Sequence, residues 1–496
     1  MIPHAASWKV SRSLNGLMLR RARECPGEHD GEYIPFLTSL SFIHKKQTMI
    51  HYEPEIRVAL LQNYSEAHIT LKGDFSSAHG RILEGCYTVT VDDGWVLLAD
   101  SSGKEIVRQK EILLQAGSRS FFTVSDVKIG IDFHWQRTQE QSFRGDLFLS
   151  ASRDASFNLI NNVHLENYLE SVISSEMSAE APLEFLRAQA ITARSWLVSM
   201  LAKKQEARTS TPQRAGNEIV VWQDVNDHEG FDVCADDHCQ RYQGITGIIS
   251  ENVHKAIEST RGHFLVYGGK ICDARYYKCC GGQTDVFDTA WEDKHYDYLS
   301  NISDDVKPHS PVCTEGDARR WLTGRPKAYC NTSDEKLLKQ ILPAFDRETS
   351  DFFRWQVAYE REDLEEIIRE KSGIDFGDLK NIEPLERGPS GRISRLKIDG
   401  SKRTVMVGKE LEIRRWLSPS HLLSSAFVVT VRRNTDGEVI GFVFMGGGWG
   451  HGIGLCQIGA AVMASRGFKA EEILAHYFKG AELKKLYHET PVSKAK

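Results

Sequence analysis

An α+β fold is predicted by three observations along the chain. Short β-rich runs fill residues 55 to 149, a helical period takes over between Asn161 and Lys203, and strand-like and helix-like stretches alternate from Val306 onward. The β-rich runs are EIRVALL, HITLKGDF, CYTVTVDDGWVLLAD and EIVRQKEILL, broken by turn signals at Asp92-Asp93-Gly94 and Ser101-Ser102-Gly103. They define a β-rich N-terminal domain over 49–140. It reads as a sheet that buttresses the next domain, because no aromatic stripe or charge cluster stands out. In the helical stretch, Leu183, Leu186, Ala190, Ala193, Leu197 and Met200 recur at spacings of three and four on one face. Pro182 suits the first turn of that helix, where its missing N–H is no loss. This places Glu176 in a connector that precedes a helix. Residues 306 to about 386 hold DFFRWQVAYEREDLEEIIREKSGI, whose carboxylate-heavy helical face is a solvated surface. The strand-like GRISRLKIDG and FVVTVRR come next, and two helices close the chain at about Gln457–Ser465 and Ala470–Phe478, with Gly480 as a plain helix stop.

At 496 residues, with 41% hydrophobic and 26% charged residues, the chain has an ordinary globular composition and room for about three domains. A net charge of −6 and the lack of a Lys/Arg run provide no general attraction to nucleic acid, which is excluded as an expected partner. No apolar run is long enough for a transmembrane segment. Residues 1–48 carry Arg20, Arg21 and Arg23 but no apolar signal-peptide core, and read as an extension, disordered or a misplaced start ahead of Met49. Ten cysteines are too few for a disulfide scaffold, and their clustering points to a metal or a local site.

Gly446 to Ala460 reads GGGWGHGIGLCQIGA, a glycine density that no ordinary helix or strand tolerates. It is either a site-like loop presenting Trp449, His451 and Gln457, or a structural turn between a strand and a helix. Far upstream, Tyr168 to Met200 reads YLESVISSEMSAEAPLEFLRAQAITARSWLVSM, and Tyr276 to Trp291 reads YYKCCGGQTDVFDTAW. Together the three segments resemble the SpoIID/LytB family (stage II sporulation protein D). The resemblance covers roughly 140–300 and 420–487. It implies a SpoIID-like domain in two parts, 141–305 and 421–496, split by an α/β insertion over 306–420 and preceded by the β-rich domain.

The resemblance implies that Glu176, in the S-E-M tripeptide, is catalytic. Family members resemble lytic transglycosylases that cut denuded peptidoglycan glycan strands between N-acetylmuramic acid and N-acetylglucosamine. One carboxyl serves such chemistry as both general acid and general base, because the sugar's own C6 hydroxyl replaces water and closes a 1,6-anhydro ring. The alternative for Glu176 is a carboxylate that only stabilises a helix N-terminus. Substrate-binding or supporting candidates are Tyr276, Tyr277, Gly281, Gly282, Thr284, Trp449, His451 and Gln457. Arg194 also matches, although an ion pair explains it equally well. Cys279 and Cys280 stand where the family more often has Ser or other small residues, and read as small core residues or as thiols near the cleft. LytB-type relatives look like non-catalytic enhancers of a cell-wall amidase, which keeps an adaptor role, with an amidase or peptidoglycan as partner, as the alternative. The substrate class implies the cell envelope, whereas no export signal is visible; sporulation enters only through the family name.

His228, Cys234, His238 and Cys239 form an H-x5-C-x3-H-C arrangement, with donors that suit tetrahedral Zn²⁺. Adjacent His238 and Cys239 point apart on a strand, so a turn is required for both to face one ion. Some family members resemble this pattern and bind zinc. A partly buried Cys pair with solvated histidines is the alternative. Four protein ligands leave no position for an activated water, which makes any zinc structural or substrate-ordering.

Overall fold

The structure, a computed structural model, describes residues 50, 52–130, 136–152, 155–206, 213–222, 228–236, 238–247, 250–349 and 351–488. The expected extension over 1–48 lies outside them. Mixed helices and strands make the fold α+β. Ten strands open it: β1 (Glu55–Tyr64), β2 (Glu66–Ser77), β3 (Ile82–Asp92), β4 (Trp95–Asp100), β5 (Glu105–Gln109), β6 (Glu111–Ala116), β7 (Phe121–Ile129), β8 (Arg137–Arg144), β9 (Asp146–Ala151) and β10 (Phe157–His164). The β3–β4 hairpin turns at Asp93 and Gly94, with φ of 49° and 75°, the paired left-handed conformation that Asp-Gly supports. In the sheet the order is β1-β10-β9-β6-β2-β3-β4-β5, with β7 joined to β2 and β8 to β7. A short strand, Val233–Cys234, extends it by pairing parallel to β1 at Val58 and Ala59.

Beyond β10 come α1 (Leu165–Glu176), α2 (Leu183–Glu206) and α3 (Glu251–Thr260). Glu176 is therefore the last residue of a helix and not part of a connector: LENYLESVISSE contains neither Gly nor Pro, and the helix stops only where Met177 turns extended at φ −132°, ψ 172°. The one-faced pattern read for α2 is also corrected. Every residue from Ala188 to Met200 is buried, because α1, α3, the helices Gln457–Ser465 and Ala470–Tyr477 and the strand His263–Tyr267 surround it. Two of its hydroxyls turn onto helix carbonyls, Thr192 on Ala188 (2.7 Å) and Ser195 on Ile191 (2.7 Å). Arg194 is fully buried in a bidentate pair with Glu166, at 3.0 and 2.6 Å, so its place is structural.

A second hydrophobic core gathers Trp355, Leu364, Ile368, Ile393, Trp416, Phe427, Phe442 and Phe444. The acidic helix Arg361–Ser372 sends Leu364 and Ile368 into it and leaves much of its charge in water. Val439–Gly446 is the middle strand between Trp355–Glu360 and Phe427–Arg433, and it runs directly into the glycine-rich loop.

Candidate functional site

Helix α1 ends with bare carbonyls and no basic residue of its own in the last turn. Two cations from distant segments supply what it lacks. Arg241 Nη1 donates to Ser175 O at 3.3 Å, and Lys278 Nζ donates to Glu176 O at 2.8 Å, where positive charge suits the helix C-terminus. Lys278 also reaches Met177 Sδ at 3.5 Å and pairs with the buried Asp346 at 2.8 Å. This places donors around the Glu176 carboxyl. Arg241 N–H gives a hydrogen bond to Oε1 at 3.0 Å, and Tyr276 O–H gives a second to the same oxygen at 3.1 Å. Among the described residues no protein group bonds Oε2. Burial, with Glu176 beside it, pushes the Tyr276 phenol up, so that it remains a donor.

The three sequence segments converge here. Tyr276–Tyr277 pairs parallel with Leu455–Cys456, and Cys279 exchanges backbone hydrogen bonds with Trp449 at 3.0 and 2.7 Å. Left-handed conformations alternate along the loop at Gly448, Gly450, Gly452 and Gly454. At Gly452, φ is +86° and an added Cβ would lie 2.4 Å from Cζ of Arg392, so only glycine fits. Arg392 is fully buried and ties the loop together through Gly450 O (3.0 Å) and Cys280 O (3.3 Å).

The candidates fall into different places. Tyr276 touches Glu176, whereas Tyr277, on the other face of the strand, is buried against the His451 ring with centroids 5.2 Å apart. His451 has both nitrogens committed: Nδ1 accepts from Ile453 N–H at 3.1 Å, which leaves Nε2–H to donate to Tyr276 O at 3.0 Å. Burial, reinforced by Arg275 and Arg392, holds it well below the usual histidine range. It is thus a neutral strut behind Tyr276. Trp449 stands with its ring 5.8 Å from Lys278 Nζ. Gln457 is buried as the first residue of its helix, and its Nε2 has no protein partner among the described residues. Gly281 presses on the loop backbone, where a Cβ would meet Gly448 N at 2.9 Å, and Gly282 does the same on Trp321 at 2.7 Å. Thr284 is buried and uses its hydroxyl on Ser300 O (2.9 Å) and Ile302 N–H (2.8 Å), which places it in the scaffold.

Sequence reasoning missed Lys278, Arg241, Asp346 and Arg392. Only Lys278, inside a quoted segment, offered a signal.

Near this centre, the ligand atoms of His228, Cys234, His238 and Cys239 all lie within 4.8 Å of one another. His228 Nε2 is 3.1 Å from Cys239 Sγ, which is 3.4 Å from His238 Nδ1. The required turn is present, closed by Cys239 N–H to Asp236 O at 3.0 Å. Hydrogen bonding from Cys239 holds the Cys234 thiol well below its ordinary range. The set suits a single tetrahedral ion. In the next two residues, Gln240 accepts from Tyr168 O–H at 3.1 Å and Arg241 meets Glu176, so the cluster adjoins the backbone that holds the carboxyl.

The model of the family described as stage II sporulation protein matches residues 153–267, and one described as Domain of unknown function (DUF8618) matches residues 285–454. An uncharacterized protein of Brachyspira hyodysenteriae is 26% identical over 66% of this chain and 68% of its own length. A stage II sporulation protein D of Bacillus amyloliquefaciens is 23% identical over 65% of this chain and 75% of its own. An amidase enhancer of Bacillus subtilis is 25% identical over 64% of this chain, which spans only 40% of that relative.

Proposed function

We propose that this chain, which belongs to the SpoIID/LytB family, acts on the bacterial cell wall as a lytic transglycosylase in which Glu176 is both acid and base. The observation that carries this is the asymmetry of one carboxyl: Oε1 is engaged by Tyr276 O–H and Arg241 N–H, while Oε2 has no protein partner among the described residues. In the acid form the two donors favour the carbonyl role for Oε1, so the proton sits on Oε2, the oxygen left for donation to a glycosidic oxygen. The resulting carboxylate, stabilised by the same donors, then takes the proton from the C6 hydroxyl as the 1,6-anhydro ring closes. No second acid is needed. Asp346, the carboxylate tied to the same cluster, is already neutralised by Lys278. We assign segments 141–305 and 421–496 to one catalytic unit, and place the protein in the cell envelope. No helix among the described residues is long and apolar enough to cross a membrane.

The test is purified protein on denuded glycan strands, with anhydro-muramyl ends detected by mass spectrometry. Glu176→Gln should lose two or more orders of magnitude, about the scale of a general acid, while remaining folded. Wild-type-like cleavage by the folded variant removes Glu176 from the mechanism. A second reading is supported by the relative named amidase enhancer: folded wild-type protein that releases no anhydro ends but accelerates a cell-wall amidase acts as an enhancer.

The cluster His228, Cys234, His238 and Cys239 is proposed to hold a structural Zn²⁺. With four protein ligands it offers no open position for water. Cys234→Ala should lower both bound zinc and thermal stability; full zinc occupancy in that variant would refute the assignment.

A further inference from the structure

We infer that the chain binds a second metal ion, of the zinc class, in a closed site formed by Cys280, Asp304, Cys330 and Cys456. The ligand atoms of these four residues lie within 4.8 Å of one another, and all four residues are buried. Cys280 and Cys330 Sγ are 3.4 Å apart, near the roughly 3.8 Å edge of a tetrahedron built on Zn–S bonds of about 2.3 Å. Such crowding describes one ion at the centre of the donors. Three soft sulfurs with one carboxylate select a zinc-like cation and disfavour Mg²⁺ or Ca²⁺.

The surroundings are built for anionic ligands. Cys280 N–H donates to Cys456 Sγ at 3.3 Å, Gly282 N–H donates to Cys280 Sγ at 3.3 Å, and Cys330 N–H donates to Asp304 Oδ2 at 2.7 Å. Cys456 is the N-cap of the helix Gln457–Ser465, where the helix end favours a thiolate. Asp304 also accepts from Tyr477 O–H at 2.5 Å, yet among the described residues no Lys or Arg pairs with it. A fully buried carboxylate facing three thiols and no cation is costly; an ion between them removes that cost.

The position has a consequence for Glu176. Cys456 ends the strand that pairs with Tyr276–Tyr277, and Cys280 lies three residues beyond Tyr277, so the ion would lock both segments to Asp304 and Cys330 in the intervening stretch. This site does not depend on the glycan reading, and it is separate from the His228 cluster.

Full-length protein purified with reductant and without chelator should carry two equivalents of zinc by mass spectrometry of the metal. Removing the first cluster with Cys234→Ser and Cys239→Ser should leave one equivalent, and cobalt loaded into that variant should give thiolate-to-metal charge-transfer bands. Cys280→Ser with Cys330→Ser should also leave one. Should that pair fail to fold, the wild-type count and the Cys234/Cys239 variant decide. A single wild-type equivalent that is lost in the folded Cys234/Cys239 variant, or a Cys280–Cys330 disulfide mapped in the native protein, overturns the proposal, whereas a single equivalent that persists in that variant places the ion at Cys280 and supports it.

Discussion

Tyr276→Phe isolates the hydrogen bond on which the orientation of Glu176 rests. The substitution keeps the ring and removes one oxygen, the donor 3.1 Å from Glu176 Oε1. A hydrogen bond to a charged group contributes about 1.5–3 kcal/mol when well buried. Both partners here are only partly buried, which moves the expected value to about 1–1.5 kcal/mol, because water repairs some of the loss. Urea unfolding of wild type, Tyr276→Phe, Glu176→Ala and the double variant gives the coupling energy directly. If the bond acts in catalysis through Glu176, glycan cleavage by Tyr276→Phe falls by a similar free energy, roughly tenfold. A coupling below about 0.3 kcal/mol, the scatter of independent sites, would refute the view that Tyr276 holds the carboxyl.

Two further outcomes are expected. Gly452→Ala must adopt φ +86° and place a Cβ 2.4 Å from buried Arg392, so a loss of about 3 kcal/mol in denaturant unfolding is expected; a loss under about 0.5 kcal/mol contradicts the packing described. Asp273 is held at about 2, because Arg275 and Lys203 outweigh the burial that pushes it up. Its folded-state value lies below the unfolded one, so it contributes about 2 kcal/mol that is present above about pH 4 and is lost as pH falls toward 2. The stability gap between wild type and Asp273→Asn should therefore narrow over that acid window, and a constant gap rejects the assignment.

The glycine pattern was readable because its cause is local: alternate left-handed residues leave a mark in the sequence whatever lies beside them. The close pairing of Tyr276 with the loop was readable only through resemblance, since the register of a parallel two-residue bridge has no local signature. The end of α1 was misread because Pro182 marks only where the next helix begins, and the burial of α2 was misread for a different reason. Spacings of three and four show which face is apolar, but a helix packed on all sides buries its Gln, Thr, Ser and Arg as well. Lys278 and Arg241 escaped because they act through main-chain carbonyls 102 and 66 residues away. The Cys280 cluster escaped similarly: Cys280 and Cys330 stand 50 residues apart, a separation that matches no short metal motif.

The capping of α1 by distant cations also bears on when the centre comes into being. Hydrogen bonds to Glu176 span 65 and 100 residues, and the strut behind Tyr276 spans another 175. Further contacts come from the strand Glu482–Lys485 beside His263–Tyr267, and from the Tyr487 hydroxyl on Glu166, 321 positions upstream. Such long separations defer assembly until distant parts of the polypeptide have met. While α1 and α2 are emerging from the ribosome, Glu176 is an ordinary helix-end carboxylate without its donors. The arrangement comes together only after the glycine-rich loop has been synthesised, so an unfinished or clipped chain carries the residue without its setting.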